Sequence, residues 1–307
     1  MKKTGLSKLI HMAFKKEETF TLNDAYQAFE DTAEPTIRAR IYEKLGIQFT
    51  RVAKGLYTTI DEENACVLME GDGRDLSMLE DESIDCIITD HPWEDKKAHT
   101  GGARHFATYS CFKYTQEDFM EKARVLKDGA FLVEMIPAEN ESNYEYLYEL
   151  KQMAKANGFL YYAKVSWKKG RFVSNTGRKA KNTQDLMIFS KGKARALRLD
   201  VKKTAATGVK TYMSGTNGML PTMFDVQPVS KKERIHKSET PVALWEQLID
   251  FVTKKGEIIL DQFAGSGSLG EAALKTSRSC ILKEISHDNI EKIKERLSRK
   301  FNVVCIE

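Results

Sequence analysis

The sequence predicts an α/β protein, a mostly parallel Rossmann-like sheet with helices on both faces, together with a small helical module at its N-terminal side. Three observations predict it. From residue 65 onward, short apolar runs of strand length alternate with longer amphipathic stretches. The first 62 residues instead give helical segments and one short alternating hairpin. Finally, two of the apolar runs end in loops dense with reactive or ligand-approaching residues, Asp90-His91-Pro92-Trp93 and Phe263-Ala264-Gly265-Ser266-Gly267. In an open α/β sheet the strand C-termini border the crevice where ligands bind, so two such loops predict one shared site.

Residues 1–62 are expected to form the separate module. A helix over Gly5–Phe14 is followed by a second over Asn23–Phe29. The third has Pro35 in its first turn, the stripe Ile37, Ile41, Leu45, and Gly46 at its end. Phe49 to Thr58 alternates around a Lys54-Gly55 turn, as a hairpin does. Helices followed by a basic hairpin resemble a winged helix-turn-helix. That resemblance implies DNA contacts from Arg38, Arg40 and Lys44 on the third helix, and from Arg51 and Lys54 in the wing. A helical packing module without DNA contact is the alternative, because acids and bases nearly balance in this segment.

The second unit is expected over residues 63–307. Its strands are Ala65–Met69, Ile84–Thr89, Ala130–Ile136, Leu160–Trp167, Leu186–Ser190, Glu257–Leu260 and Cys280–Glu284. Amphipathic helices over Gln116–Leu126, Asn143–Asn157, Pro241–Lys254, Leu269–Lys275 and Asp288–Arg299 lie between several of them. Residues 191–237 break the pattern with glycines, prolines and basic residues, and read as a loop-rich insert.

Bulk composition narrows the function. With 41% hydrophobic and 30% charged residues, the chain has no run near the roughly 20 apolar residues of a membrane span. Met1-Lys2-Lys3 has no apolar region behind it, so no secretory signal is expected. The five cysteines are scattered without a CxxC pair, which suits reduced thiols in a cytoplasmic protein and no zinc site. Charge is distributed unevenly. Lys164 to Lys237 holds 18 Lys and Arg against four acids, a net +14, leaving −10 for the rest of a chain whose total is +4. A positive field concentrated in this way is the footprint of a partner with a phosphate backbone.

The later loop follows a strand and opens a helix. Gly265 and Gly267 permit close approach of backbone to a ligand, and free N–H groups at the helix start suit a carboxylate. Gly265, Gly267 and Gly270 also spell G-x-G-x-x-G, a nonspecific match, and only 37 residues follow Gly270. That is too short for the second half of a dinucleotide fold and favours a single adenosine-containing cofactor. Glu284 ends the next strand, where an acid can accept from two ribose hydroxyls. In the earlier loop, Asp90 and the backbone carbonyl of His91 supply two hydrogen-bond acceptors side by side. Pro92 stiffens the turn, and Trp93 offers a face for a base.

These motifs, in the order catalytic before cofactor, resemble the permuted β class of S-adenosylmethionine-dependent DNA amino-methyltransferases. The resemblance covers Cys66 to Arg299. Asp261 to Gly267 looks like the family's D-P-F-A-G-S-G, and Asp90 to Trp93 like its D-P-P-Y/W, with His91 in place of proline. The segment from His236 to Val242 is similar to H-P-T-x-K-P-V, with Thr240 in place of lysine. The resemblance implies that Asp90, His91, Pro92 and Trp93 are catalytic. It implies that Asp72, His236, Asp261, Phe263, Ala264, Gly265, Ser266, Gly267 and Glu284 hold S-adenosylmethionine. Trp167-Lys168-Lys169 resembles the family's W-x-K segment beside the base pocket, and Arg171, Arg178, Lys179 and Lys181 follow as phosphate contacts. The implied substrate is double-stranded DNA with a flipped target base. An aspartate at position 90 leans toward adenine N6; cytosine N4, or an RNA base, is the alternative. Dimers are common in the resembled class and no metal is required. Departures at His91 and Thr240 leave open a DNA-binding regulator with an inactive methyltransferase fold, and a nicotinamide oxidoreductase stands third.

Overall fold

The computed structural model describes residues 5–306 except 16, 18, 46–47, 60–63, 94–110, 171–181, 196, 198–201, 205–209, 213–219, 231 and 236–238. The first elements are α1 (Leu6–Phe14), β1 (Phe20–Thr21), α2 (Leu22–Ala28), α3 (Glu34–Tyr42), β2 (Phe49–Ala53) and β3 (Leu56–Thr59). The strands form an antiparallel sheet in the order β1-β3-β2. Thr21 starts α2 through a reciprocal cap, its hydroxyl accepting from the Asp24 amide while Asp24 accepts from the Thr21 amide. Ile10, Phe20, Ile37, Ile41, Phe49 and Tyr57 fill a core of their own.

The hairpin β2–β3 is not a free wing. Val52 belongs to the apolar core of the larger unit, and the Lys54 amide donates to the Met78 carbonyl at 2.7 Å. Arg51 pairs with Glu80, donates to the Tyr57 hydroxyl at 3.1 Å and lies over the Tyr42 and Tyr57 rings at 5.0 and 5.3 Å. The DNA contact expected of Arg51 is therefore corrected: its guanidinium is taken up in joining hairpin to sheet. Arg51→Ala is expected to lower stability by about 1–2 kcal/mol, read as a drop in the thermal midpoint.

The larger unit contains β4 (Ala65–Glu70), β5 (Ile84–Thr89), α4 (Gln116–Val125), β6 (Leu126–Pro137), α5 (Tyr144–Ala156), β7 (Phe159–Lys168) and β8 (Thr183–Lys191). It continues with β9 (Lys202–Thr204), β10 (Lys210–Tyr212), β11 (Met223–Asp225), α6 (Val242–Val252), β12 (Ile258–Asp261), α7 (Ser268–Lys275), β13 (Ser279–Glu284), α8 (His287–Ser298) and β14 (Asn302–Ile306). Nine strands form one sheet in the order β11-β7-β8-β6-β5-β12-β13-β4-β14. Neighbours run parallel except at β8, which is antiparallel to both β6 and β7. Cys66, Leu68, Cys86 and Ile88 face one apolar layer and Val67, Met69 and Ile87 the other. Helices cover both faces, which is why every residue of β5 is buried.

Two features add to the sequence reading. The stretch 191–237 is not loop throughout, since β11 joins the sheet beside β7, with Phe224 opposite Trp167, and β9 pairs with β10. Three-residue strands are too short for periodicity to register. The edge strand β14, absent from the sequence reading, pairs along β4 from Asn302 to Ile306. Among the described residues no helix is long and apolar enough to cross a membrane.

Candidate active site at the strand C-termini

Four parallel strands, β5, β12, β13 and β4, end side by side. Ile87 lies opposite Leu260, Leu260 opposite Ile281, and Glu70 opposite Glu284. Asp90 follows the first strand, Asp261 ends the second, Glu284 the third, and Gly71-Asp72 follows the fourth. Register alone thus gathers loops more than 150 residues apart in sequence.

On the cofactor side, Gly265 and Gly267 have φ of +53° and +71°, the left-handed region. Gly267 caps α7, whose first-turn amides have no helical acceptor. A Cβ on Gly267 would lie 2.8 Å from Ile293, whereas one on Gly265 would meet nothing closer than 3.9 Å, so the loop leaves open space above Gly265. The Gly265 amide donates to Glu284 Oε2 at 2.8 Å, and Ser286 and Asn289 donate to Oε1 at 3.0 and 3.2 Å. Asp261 accepts from the Phe263 amide at 3.1 Å. Burial, with the Asp90 and Glu284 charges adding to it, pushes the Asp261 carboxyl up to about 8. Ala264 and Ser266 are buried, and the Phe263 ring stands 5.5 Å from Phe112. Asp72 is exposed and caps a turn, accepting from the Arg74 amide at 2.9 Å.

Asp261 makes a stability prediction. A neutral carboxyl in the native state binds a proton that the unfolded chain releases. Its contribution is therefore complete below about 4 and is lost as pH rises through about 8. The unliganded wild type should lose thermal stability between pH 5 and 8 more steeply than Asp261→Asn. Parallel melting curves for the two proteins would refute it.

On the other side, Asp90 is half-buried and accepts from Trp93 Nε1 at 3.4 Å. Burial raises its carboxyl to about 6, while the Trp93 hydrogen bond and the Lys169 charge oppose the rise. Pro92 offers its carbonyl to the Phe112 amide at 3.2 Å. The Trp93 ring packs 4.3 Å from His91 and 6.0 Å from Tyr146. His91 is itself buried, its Nε2 3.1 Å from the Tyr146 hydroxyl and its Nδ1 3.6 Å from Glu134.

Trp167 requires a correction. It is 2% exposed and donates through Nε1 to the Val226 carbonyl at 2.8 Å. It is a core residue, so its ring is taken up in packing and not in the DNA contact that the resemblance implied. Lys168 pairs with Asp225 at 2.7 Å. Lys169 is half-buried with Nζ 4.7 Å over the Trp167 ring, and its charge acts on Asp90. Arg38 and Arg40 are exposed on α3, and Arg40 pairs with Glu43. His236, Arg171, Arg178, Lys179 and Lys181 lie outside the described residues. Thr240, where the resembled motif has lysine, is buried with its hydroxyl 3.8 Å from the Met135 sulfur.

Sequence reading missed several residues. The Gly73 carbonyl accepts from Gln262 Nε2 at 2.7 Å, clamping the loop after β4 against the loop after β12. Glu134, in the middle of an apolar strand, and Lys122, on the apolar side of α4, are both fully buried and paired beneath the Asp90 loop. A lone charge amid each apolar run was the available signal. A cavity of about 340 Å³ lies elsewhere, lined by Arg51, Glu80, Ile84 and Ile258. It sits at the opposite ends of β5 and β12, and several charges there are already paired with one another.

A family of DNA methylases, N6_N4_Mtase, matches residues 84–295. The type II methyltransferase M.HpaI of Haemophilus parainfluenzae is 27% identical over 233 residues, spanning 74% of this chain and 72% of its own. Among solved structures, the M1.HpyAVI–SAM complex superposes with a TM-score of 0.54 at 20% identity, over 75% of this chain and 98% of that one. The cytosine-N4-specific PvuII DNA methyltransferase gives 0.53 at 15% identity, over 75% and 85%. At these identities the two structures speak to the fold.

Proposed function

The chain belongs to the N6/N4 DNA methylase family, and from that membership we propose that it transfers a methyl group from S-adenosylmethionine to the exocyclic N6 amine of adenine in DNA. The observation that carries the reading is the adjacency of the Asp90 and Asp261 loops at the ends of two hydrogen-bonded parallel strands. Such adjacency supports a single site that takes both the amine acceptor and the cofactor.

The residues present suit the cofactor. Open space above Gly265, unpaired amides at the start of α7 and the Glu284 carboxylate form a cradle for a small molecule with a carboxylate and hydroxyls. Buried Gln262 Oε1 has no partner. Phe263, Ala264, Ser266, Gly267 and Asp261 complete the holding set. When bound, the cofactor supplies an electrophilic methyl group on a sulfonium.

The target amine is a poor nucleophile, because its lone pair is delocalised into the ring. Asp90 and the His91 carbonyl accept its two hydrogens, draw the nitrogen toward tetrahedral geometry and oppose the positive charge that develops there. Trp93 packs against the base, and a duplex substrate requires that base to be flipped out. Lys169 supports the ionised form of Asp90. The basic segment beyond it, together with Arg38 and Arg40, supplies the DNA-facing charge. Residues 1–62 act as a separate module docked on the methyltransferase unit.

The test is nucleoside mass spectrometry of DNA incubated with the protein and S-adenosylmethionine. N6-methyladenine is expected. N4-methylcytosine would keep the mechanism and overturn the base assignment; no methylated base, with cofactor binding intact, would overturn the reading.

A further inference from the structure

His91 stands where the resembled motif has proline, and its side chain is almost completely buried. Tyr146 Oη accepts from the Tyr114 amide at 3.1 Å and lies 3.1 Å from His91 Nε2. With the Tyr146 hydroxyl as donor to Nε2, the imidazole proton sits on Nδ1, 3.6 Å from Glu134 Oε2. Glu134 is ion-paired with Lys122 and accepts from the Tyr114 hydroxyl at 3.4 Å, while Lys122 Nζ sits 3.5 Å over the Tyr114 ring. Glu134 of β6 and Tyr146 of α5 thus flank one side chain of the Asp90–Trp93 loop, and Lys122 of α4 holds Glu134 in turn. A buried ion pair adds little net stability, because desolvation offsets its attraction. It does impose a single geometry.

Building on the proposed methyl transfer, we propose that Tyr146, Glu134 and Lys122 are positioning residues which brace His91, and that this brace replaces the backbone stiffness of a proline at position 91. The piece of backbone held is the one whose carbonyl receives the target amine. A displacement of about 1 Å there can cost on the order of 100-fold in rate. The sequence departure at 91 and the buried charges beneath it are then one adaptation: the lost ring constraint is supplied by close packing, the Tyr146 hydrogen bond and the Glu134 carboxylate beside Nδ1.

The test is a comparison of Tyr146→Phe in two backgrounds, the natural His91 protein and His91→Pro. Turnover is followed with labelled S-adenosylmethionine on unmethylated genomic DNA. Tyr146→Phe should lower kcat about tenfold or more in the His91 protein, leaving KM for S-adenosylmethionine within about twofold. On His91→Pro the same change should alter kcat by less than about twofold. Equal effects in both backgrounds, no effect in the His91 protein, or a folded but inactive His91→Pro would each overturn the brace. If Tyr146→Phe does not fold, Lys122→Met combined with Glu134→Gln takes its place in the same comparison. Amide hydrogen exchange at residues 89–93 reads the brace without turnover, and should rise with Tyr146→Phe only when His91 is present. A brace that holds in a protein methylating no DNA would sink the functional reading alone; methylation without coupling would sink the brace alone.

Discussion

Replacing Asp90 with alanine is expected to lower kcat for methyl transfer by about 10²- to 10⁴-fold, while S-adenosylmethionine affinity stays within about threefold. In the proposed mechanism the carboxylate is the charged one of the two acceptors at the amine, so its loss removes the larger part of the compensation for positive charge on the nitrogen. It lies on the β5 loop, whereas the proposed cofactor cradle is carried by β12, β13 and the loop after β4, so affinity should be spared. Asp90→Asn keeps an acceptor oxygen without its charge and should fall between wild type and alanine. A pH profile tests the same group independently. Burial raises the Asp90 carboxyl to about 6, and only the ionised form accepts from the amine without offering a competing proton. The ratio kcat/KM should therefore climb as pH rises through about 6 and level off above it. Full activity in Asp90→Ala, or a profile flat from pH 5 to 8, would remove Asp90 from the mechanism.

The second large effect falls on a residue outside the recognised motifs. A Cβ on Gly73 would lie 1.8 Å from the Gln262 carbonyl oxygen and 2.7 Å from the Phe263 ring. Backbone cannot yield cheaply at that distance. Gly73→Ala must part the loop after β4 from the loop after β12 and break the Gln262–Gly73 hydrogen bond. Overpacking of this kind costs about 1–3 kcal/mol, and every 1.4 kcal/mol is tenfold in binding. Because the strain is placed in the cofactor cradle, S-adenosylmethionine affinity measured by calorimetry should fall about tenfold to 100-fold. Asp72→Ala, one residue away, removes only a turn cap and should cost much less. Unchanged affinity in Gly73→Ala would mean that the two loops are not one cradle.

Much of this protein is determined by its sequence alone. The alternation of apolar runs with amphipathic stretches determines an α/β sheet covered on both faces, because such runs are stable only when both sides are buried. The residues after β5 and β12 are legible as motifs, since a carboxylate at a strand end and glycines at 265 and 267 are marked by residue type and local backbone geometry. What tertiary structure decided is adjacency. Nothing local says that β12 inserts beside β5, that the Gly73 backbone closes on Gln262, or that Lys122, Glu134 and Tyr146 meet beneath His91. Nor does local pattern separate a tryptophan that faces a ligand from Trp167, which the short strand β11 and the Val226 carbonyl seal into the core. Arg51 reads as a surface charge until the hairpin docks on Glu80. Periodicity reports which face of an element is buried; the identity of what buries it depends on contacts between residues far apart in sequence, and those exist only once the sheet has assembled.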